Sequence, residues 1–225
     1  MSSVKGKLLR FGSALLSRAS VIACTDAGDG FRRISLRSKA SRPAAGSKVQ
    51  LLLPSDDVRT YSPIASPEEG EFVLLGWKHA GGPGARWIAE VTVGSEVFFA
   101  GPQRSLELST GPVVIVGDET SVGVAASYAA ARPGQVQAVL QGRSPEQVRA
   151  AAECVGLRPT HVAARDDISS LIEAIVAAHA SAPHGSVGLT GGSELVVAVR
   201  DALRARGVPN VKTKAYWIPG KTGLD

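Results

Sequence analysis

Cysteine, methionine and aromatic residues are scarce in this chain of 225 residues, which has two Cys, one Met and 5% Phe, Trp and Tyr. Cys24 and Cys154 lie far apart, and neither has a second Cys or a His at the spacing of a metal ligand. Neither a disulfide framework nor a metal site is therefore indicated, and the cysteine content fits a reducing compartment.

Long apolar runs are also missing. The longest uncharged apolar stretch lies near Val122–Ala131, whereas a membrane-spanning helix needs about 18 or more consecutive apolar residues. The N-terminal region lacks the apolar core of about 7–15 residues that a secretory signal contains. We therefore expect no membrane span and a cytoplasmic location. With 44% hydrophobic and 20% charged residues, the composition is that of a folded globular protein.

The basic residues are concentrated at the N-terminal end. Residues 1–55 contain ten Lys and Arg against Asp26 and Asp29, a balance of +8, so the remaining residues sum to −3 of the net +5. A basic region attracts anions, but a single-strand nucleic-acid binder also interleaves aromatic rings, and only Phe11 and Phe31 lie here. We expect no nucleic-acid partner, and an anionic cofactor or substrate stays open.

The two halves of the chain have different hydrophobic periods. Up to residue 109, short β-rich runs alternate with Gly, Pro, Asp and Ser turns, which predicts an antiparallel barrel of six strands. The predicted strands are Ser20–Cys24, Phe31–Leu36, Val49–Leu53, Glu71–Trp77, Ile88–Val93 and Glu96–Ala100. We therefore predict a first domain over residues 1–109.

From residue 110 onward, strands alternate with helices, beginning with the continuous apolar strand Pro112–Val116. This pattern predicts a doubly wound α/β domain with a parallel sheet over residues 110–225. Its predicted helices are Ser121–Arg132, Pro145–Cys154, Ile168–Ala180 and Leu195–Arg206, and its last strand is Val211–Trp217. A nucleotide site is expected at the carboxyl ends of the strands, as in other open parallel sheets.

Three short strings carry chemistry. Arg59-Thr60-Tyr61-Ser62 offers a cation for phosphate, an aromatic ring and a hydroxyl. The glycine-rich stretch His79–Trp87 leads into a helix-like segment, where free N–H groups bind anionic phosphates. Gly117–Ser121 follows the first strand of the α/β half but lacks the dinucleotide and P-loop fingerprints. Because two acids facing a pyrophosphate are unfavourable, we expect Asp118 and Glu119 to point elsewhere, toward a flavin or a ribose.

In this order, and with the early strand Phe31–Ile34 and the ending Ala215–Gly220, these strings resemble the siderophore-interacting proteins. That family consists of flavin-dependent ferric-siderophore reductases within the ferredoxin-reductase-like superfamily. The likeness runs from about Ser20 to Gly220, nearly the whole chain. It implies an FAD-binding barrel followed by an NAD(P)H-binding domain, with FMN left open as an alternative flavin.

The resemblance also implies individual roles. Arg59 would contact flavin phosphate or ribityl oxygens, Tyr61 would pack on the isoalloxazine, and Tyr216 would help Trp217 to close the site. The residues implied for FAD are Arg59, Thr60, Tyr61, Ser62, His79, Gly82, Gly84, Ala85, Asp118, Thr120 and Trp217. Those implied for NAD(P)H are Glu119, Ser121, Arg143, Ser144 and Gly191, and those facing the siderophore are Arg86, Lys212, Lys214 and Lys221. No side chain is expected to act as a catalyst, because electrons pass through the flavin.

The choice of nicotinamide depends on Arg143, just after the second strand of the α/β half. An Arg at this place commonly meets the 2′-phosphate of NADPH, where an NAD enzyme has an acid. The residue type therefore favours NADPH, and a solvated loop Arg is an equally good interpretation.

We expect a reductase that uses NAD(P)H to reduce Fe(III)-siderophore to Fe(II) and so to release the iron. One alternative is a reductase that passes electrons to a protein partner, although the chain has no C-x₄-C-x₂-C run for a fused plant-type cluster. Another is a non-catalytic siderophore-binding module that has lost its flavin, since Gly84-Ala85 stands where the family often has Ala-Ser.

Overall fold

A computed structural model describes residues 16–79, 81–182 and 184–221 and contains two sheets. The first sheet is antiparallel, with the order β4-β3-β7-β1-β2-β6-β5. Its strands are β1 (Ser17–Ala27), β2 (Phe31–Ser38), β3 (Ser47–Leu52), β4 (Val58–Tyr61), β5 (Ile64–Ala65), β6 (Glu71–Trp77) and β7 (Glu96–Arg104). A single helix, α1 (Pro83–Glu90), lies between β6 and β7.

Strands β4 and β5 explain how this sheet closes. Only Ser62 and Pro63 separate them in sequence, yet they lie at opposite edges of the sheet, where β4 pairs with β3 and β5 pairs with β6. Together they act as one interrupted strand that joins the two edges, and Pro63, which has no N–H to donate, lies at the interruption. The predicted six-stranded barrel is therefore confirmed, with 58–65 as its sixth strand.

The strand predicted at Ile88–Val93 is wrong. Residues 83–90 form α1, which has Pro83 at its first position, and the chain then turns into β7. Trp87, Ile88 and Val91 are buried with the barrel residues, so their apolar side chains cover one end of the barrel. An apolar run this short fits a strand or a helix equally well by period alone.

The second sheet is parallel throughout, with the order β10-β9-β8-β11-β12. Its strands are β8 (Val113–Gly117), β9 (Val136–Gly142), β10 (His161–Ala164), β11 (Ser186–Gly192) and β12 (Val211–Trp217). The helices are α2 (Val122–Ala131), α3 (Pro145–Cys154), α4 (Ile168–Ala180) and α5 (Ser193–Ala205), and a 3₁₀ turn at Glu119–Ser121 precedes α2. The predicted doubly wound sheet is confirmed, and its strand order reverses between β8 and β11.

Successive side chains of β8 point to opposite faces of this sheet, and both faces are covered. Val113 and Ile115 pack with α2 and α3, whereas Val114 and Val116 pack with α4 and α5. The first of these clusters also contains Phe31 of the barrel, so the α2–α3 face is buried against the first domain.

Helix α2 also holds the segment that joins β7 to β8. The Tyr128 hydroxyl donates to the Leu106 carbonyl at 2.6 Å and accepts from the Leu108 N–H at 3.3 Å. The Arg132 guanidinium donates to carbonyls of the same segment and lies 5.1 Å from the centre of the Tyr128 ring. The two domains are therefore fixed to each other by side-chain contacts as well as by the chain.

Candidate functional site

The Arg59-Thr60-Tyr61-Ser62 string and the glycine-rich turn meet in space. A Cβ on Gly84 would lie 3.3 Å from Arg59 Cγ and 3.3 Å from Tyr61 Oη, so the start of α1 lies directly on β4. Arg59 and Tyr61 share one face of β4, whereas Thr60 points to the other face and is exposed. The structure therefore brings Arg59 and Tyr61 to the turn and leaves Thr60 outside this contact.

Tyr61 is held in a largely apolar setting. Its ring lies 5.9 Å from the Trp87 ring, centre to centre, with a tilt of 50°. Burial raises the pKa of Tyr61 well above its usual value, and the neighbouring Arg59 opposes part of that rise. Arg59 itself donates to the Val58 carbonyl at 2.7 Å and lies 3.6 Å from an Asp57 carboxylate oxygen. The site thus offers a protonated phenol beside a cation.

The glycine-rich turn presents bare backbone at the start of α1. Gly81 and Gly82 have φ angles of 93° and 87°, which side chains other than glycine rarely adopt. A Cβ on Gly81 would meet nothing within 4 Å, so the turn is open on its outer side. The N–H groups of Gly84 and Ala85 have no acceptor within the helix, because a helix leaves its first N–H groups unpaired. This is the geometry that binds phosphate groups.

Ser62 connects the barrel to the α/β domain. Its side chain lies beside the Tyr216 phenol, and this contact opposes the rise that burial causes in the pKa of Tyr216. A Cβ on Gly123 would lie 3.2 Å from the Ser62 carbonyl oxygen, so the first turn of α2 also packs on this residue. The end of β4, the start of α2 and the end of β12 therefore meet at one place between the two domains.

Asp118 is buried and its carboxylate accepts four hydrogen bonds. Oδ1 accepts from the Thr120 N–H at 2.9 Å and from the Thr120 hydroxyl at 2.6 Å. Oδ2 accepts from the Gly192 N–H at 2.8 Å and from Trp217 Nε1 at 2.9 Å. The carboxylate thus joins the ends of β8, β11 and β12 within the protein.

Glu119 also turns inward. Its carboxylate accepts from the Arg143 N–H at 2.8 Å and from the Arg165 guanidinium at 2.5 Å. Only 3% of its side chain is exposed, and the Arg165 guanidinium lies 5.9 Å from the centre of the Trp77 ring of the barrel. The charge of Glu119 is therefore neutralised within the protein, and its partner Arg165 is a residue that the sequence did not reveal.

Three residues predicted at the nucleotide site have structural roles. Ser121 is completely buried and accepts from the Thr190 hydroxyl at 2.8 Å, so its side chain does not face a dinucleotide. Gly191 has a φ of 111°, and a Cβ there would lie 2.7 Å from Asp118 Cγ. Trp217 packs on the neighbouring Gly192, where a Cβ would lie 2.5 Å from the indole ring. These glycines make room for the Asp118–Trp217 contact.

Arg143, Ser144 and His79 lie together in a cleft of about 260 Å³ between the two domains. Ser144 also caps α3, because its hydroxyl accepts from the Gln147 N–H at 3.4 Å. His79 packs on Trp77, with 5.0 Å between the ring centres. A second cleft of about 340 Å³ is lined by Lys78, His79, Gly81, Gly82, Ala85, Arg86 and Ala89. Trp77 and Lys78 are cleft residues that the sequence reasoning missed.

Lys212 and Lys214 lie on the exposed edge of the parallel sheet. Lys212, Thr213 and Lys214 are all exposed, and the register of β12 with β11 is irregular between Ala215 and Trp217. Their side chains form no ion pair with any residue in the described ranges, and neither does that of Arg86 on α1 or that of Lys221. All four of these cations are therefore exposed, and Lys221 lies beyond the end of β12.

No protein-family model and no curated protein matches this chain. Among solved structures, the siderophore-interacting protein of Aeromonas hydrophila superposes with a TM-score of 0.70 at 23% identity, over 91% of this chain and 92% of that one. A siderophore utilization protein from T. fusca gives 0.64 at 18% identity, over 92% and 94%. A phthalate dioxygenase reductase gives 0.71 at 18% identity, over 91% of this chain and 69% of that one.

These comparisons establish the fold. The chain has the ferredoxin-reductase-like fold that siderophore-interacting proteins and dioxygenase reductases share, as the motif resemblance predicts. Across the described residues, no helix is long and apolar enough to cross a bilayer. Within the same ranges, no group of three or more His, Cys, Asp and Glu side chains is placed to hold a metal ion.

Proposed function

We propose that this protein is a flavin-dependent reductase that uses NAD(P)H to reduce the iron of a ferric siderophore. The observation that carries the proposal is the packing of Gly84 on Arg59 and Tyr61, which joins a phosphate-binding turn to a cation, a phenol and the hydroxyl of Ser62. The glycine-rich turn, the Arg59 and Tyr61 side chains and Ser62 belong to the barrel, and Tyr216 of the α/β domain contacts Ser62. A site of this kind suits a flavin between the two domains.

The residues present fit a flavin dinucleotide. The open backbone of Gly81 and Gly82 and the N–H groups of Gly84 and Ala85 suit the pyrophosphate. Arg59 would add a cation, and the half-buried ring of Tyr61 would pack on the flavin. The sequence replaces the hydroxyl common at this turn in the resembling family with Gly84-Ala85, so the backbone would do most of the phosphate binding.

The nicotinamide dinucleotide would approach from the α/β domain. Ligands of open parallel sheets bind where the strand order reverses, which here lies between β8 and β11. Glu119 is paired with Arg165, and the Asp118 carboxylate accepts from Thr120, Gly192 and Trp217, so both acids make their contacts within the protein. Arg143 is exposed and its guanidinium has no partner within the described ranges, which favours the 2′-phosphate of NADPH.

The chemistry supplied by a bound flavin is the conversion of a two-electron hydride donor into a source of single electrons for Fe(III). The protein would orient the two dinucleotides and exclude water with Tyr61, Trp87 and Tyr216. Reduction loosens the iron, because Fe(II) binds hard oxygen ligands less tightly than Fe(III). A cytoplasmic location would give such an enzyme access to NAD(P)H.

The cations on β12 support a negatively charged acceptor. Lys212 and Lys214 are exposed on β12, and Arg86 lies on the exposed side of α1. Many ferric siderophores are anions, and exposed cations attract anions over distances of about 8 Å at physiological ionic strength. Lys221, which follows β12, would add to the same positive field.

The test is anaerobic reconstitution with FAD followed by NADPH and then a ferric siderophore with an Fe(II) trap. We expect the flavin absorbance to bleach and to return as trapped Fe(II) forms, faster than in a control without protein. Arg59→Gln should weaken FAD binding about tenfold or more, as loss of a charge-assisted contact implies. Arg204→Gln, an exposed cation at the end of α5, is the matched control. Failure of the wild-type protein to bind FAD would refute the enzyme and favour a siderophore-binding module.

A second candidate is a reductase that gives its electrons to a protein. The comparison with phthalate dioxygenase reductase supports the shared fold of such enzymes, although the chain spans only 69% of that protein. A salt-sensitive complex with a small acidic redox protein, together with slow turnover of ferric chelates, would favour this candidate. Coverage of 92% of the A. hydrophila siderophore-interacting protein favours the first.

A further inference from the structure

Helix α1 carries the phosphate-binding turn at its start, yet it has only eight residues. An isolated helix shorter than about 12–15 residues is marginal in water, so a helix of this length depends on tertiary contacts. Its last turn contains Glu90 and no basic residue, which is unfavourable because the C-terminal end of a helix carries a partial negative charge. The position of α1 is therefore fixed by groups from elsewhere in the chain.

The guanidinium of Arg32 on β2 supplies a cation to the end of α1. Its Nη1 donates to the Ile88 carbonyl at 3.0 Å and to the Ala89 carbonyl at 2.6 Å. Both belong to the last four carbonyls of the helix, which have no partner within it. Only 18% of the Arg32 side chain is exposed, and its Nε lies 3.8 Å from an Asp26 oxygen. Arg32 thus caps α1 with charge-assisted hydrogen bonds, which are about twice as strong as neutral ones.

Two further contacts fix the same end of α1 on the barrel. A Cβ on Gly76 of β6 would lie 2.6 Å from Ile88 Cδ1, so the glycine makes room for the Ile88 side chain. The Cys24 thiol of β1 lies 3.6 Å from the carbonyl oxygen of Val91, the residue that follows α1. Three strands of the barrel therefore contact the end of α1, and Arg32 adds a charged donor to these contacts.

The two ends of α1 move together because the helix is short. Eight residues span about 12 Å at 1.5 Å per residue, so a tilt at the Ile88 end also displaces the N–H groups of Gly84 and Ala85. Gly82 lies at the N-cap and has no side chain that could cap the helix. The position of the phosphate-binding turn therefore depends on the contacts at the other end of α1.

We propose that Arg32 is a positioning residue that fixes α1 on the barrel and thereby places the N–H groups at its start where they bind phosphate. Arg32 acts through the helix, from the end opposite to the turn. Its cation and a bound phosphate stabilise opposite ends of the same helix dipole, so each should favour the other. The identity of the phosphate compound as FAD rests on the proposed function, whereas the contact of Arg32 with α1 does not.

The first test is amide hydrogen exchange of the flavin-free protein, followed at residues 86–91. Arg32→Met keeps the apolar stem and removes both donated bonds, so these amides should exchange about tenfold faster while those of β8 stay unchanged. Arg32→Lys keeps a cation and should restore most of the protection. Arg37→Met is the matched control, because Arg37 lies on the same strand but bonds Glu71 of β6. Wild-type exchange in Arg32→Met would overturn the proposal, and faster exchange in β8 as well would show a general loss of stability instead.

The second test is FAD affinity, measured by quenching of flavin fluorescence. We expect Arg32→Met to weaken FAD binding about tenfold, Arg32→Lys to recover most of the loss, and Arg37→Met to bind as the wild type does. Faster exchange in α1 with unchanged FAD affinity would overturn the positioning role.

The proposed function and the role of Arg32 can fail separately. If the wild-type protein binds no FAD, the reductase is refuted, and inorganic pyrophosphate replaces FAD as the probe. Pyrophosphate should then slow exchange in α1 of the wild type, and about tenfold more of it should be needed for Arg32→Met. No effect of pyrophosphate on α1 of the wild type would overturn the proposal.

Discussion

The Asp118→Asn substitution tests the carboxylate that accepts four hydrogen bonds at the ends of the parallel strands. Four buried or half-buried donors converge on this carboxylate, two on each oxygen. Whichever way an Asn amide is turned, its NH₂ group faces two donors that have lost their acceptor. At about 1–3 kcal/mol for each donor left unpaired, the free energy of unfolding should fall by about 3 kcal/mol. For a protein of this size, that corresponds to a drop in Tm of roughly 6–12 °C.

The assay for Asp118→Asn is urea unfolding followed by far-UV circular dichroism. We expect the midpoint to fall with the slope m unchanged, because the folded and unfolded surfaces stay the same. Asp201→Asn is the matched control, since Asp201 is exposed and pairs only with Arg200, and it should change stability by less than about 0.5 kcal/mol. A loss below about 1 kcal/mol for Asp118→Asn would refute the four-donor account.

Three further predictions concern other contacts of the fold and the site. Gly192→Ala places a Cβ 2.5 Å from the Trp217 ring, so it should cost about 1–3 kcal/mol and change the near-UV circular dichroism of the indole. Tyr128→Phe removes the hydroxyl that donates to the Leu106 carbonyl and should lower stability by about 1–3 kcal/mol in urea. Burial raises the pKa of Tyr61, so its stabilisation is complete below the unfolded pKa of about 10 and is lost above it. Tyr61→Phe should therefore flatten the fall of the urea midpoint between roughly pH 9 and 11.

Each of these predictions has a result that would contradict it. An unchanged near-UV spectrum for Gly192→Ala would mean that the indole does not pack on that backbone. Tyr128→Phe with wild-type stability would show that the contact between α2 and the connecting segment adds nothing. An alkaline profile of Tyr61→Phe that matches the wild type would mean that this phenol is accessible to water in the folded protein.

The α/β half could be predicted almost to the residue. The helices Pro145–Cys154 and Ile168–Ala180 and the strand Val211–Trp217 have the bounds expected from the sequence. Local signals explain this success, because a side chain caps the start of each helix. Ser144 accepts from the Gln147 N–H at the start of the first helix, and Asp167 accepts from the Ser170 N–H at the start of the second. Charge repulsion predicts only that Asp118 and Glu119 avoid a pyrophosphate, and the inward contacts that both carboxylates make could not be predicted from it.

The long-range partners could not be predicted. Glu119 and Arg165 are 46 residues apart, and the register of three parallel strands brings them together. Asp118 and Trp217 are 99 residues apart, and their contact depends on two glycines at the end of β11. The missed sixth strand has a different cause, because residues 58–65 read as a polar turn until their pairing on two opposite sheet edges is known.

Strand β12 is the last strand of the parallel sheet, and among the described residues no strand pairs with its outer side. Open edges of this kind are templates on which a second molecule can extend the sheet and aggregate. Lys212, Thr213 and Lys214 are all exposed along this edge, and bringing two copies together would place like charges side by side. The same lysines that would attract an anionic acceptor therefore also disfavour pairing of two copies along this edge, and we expect a variant that neutralises both to aggregate more readily.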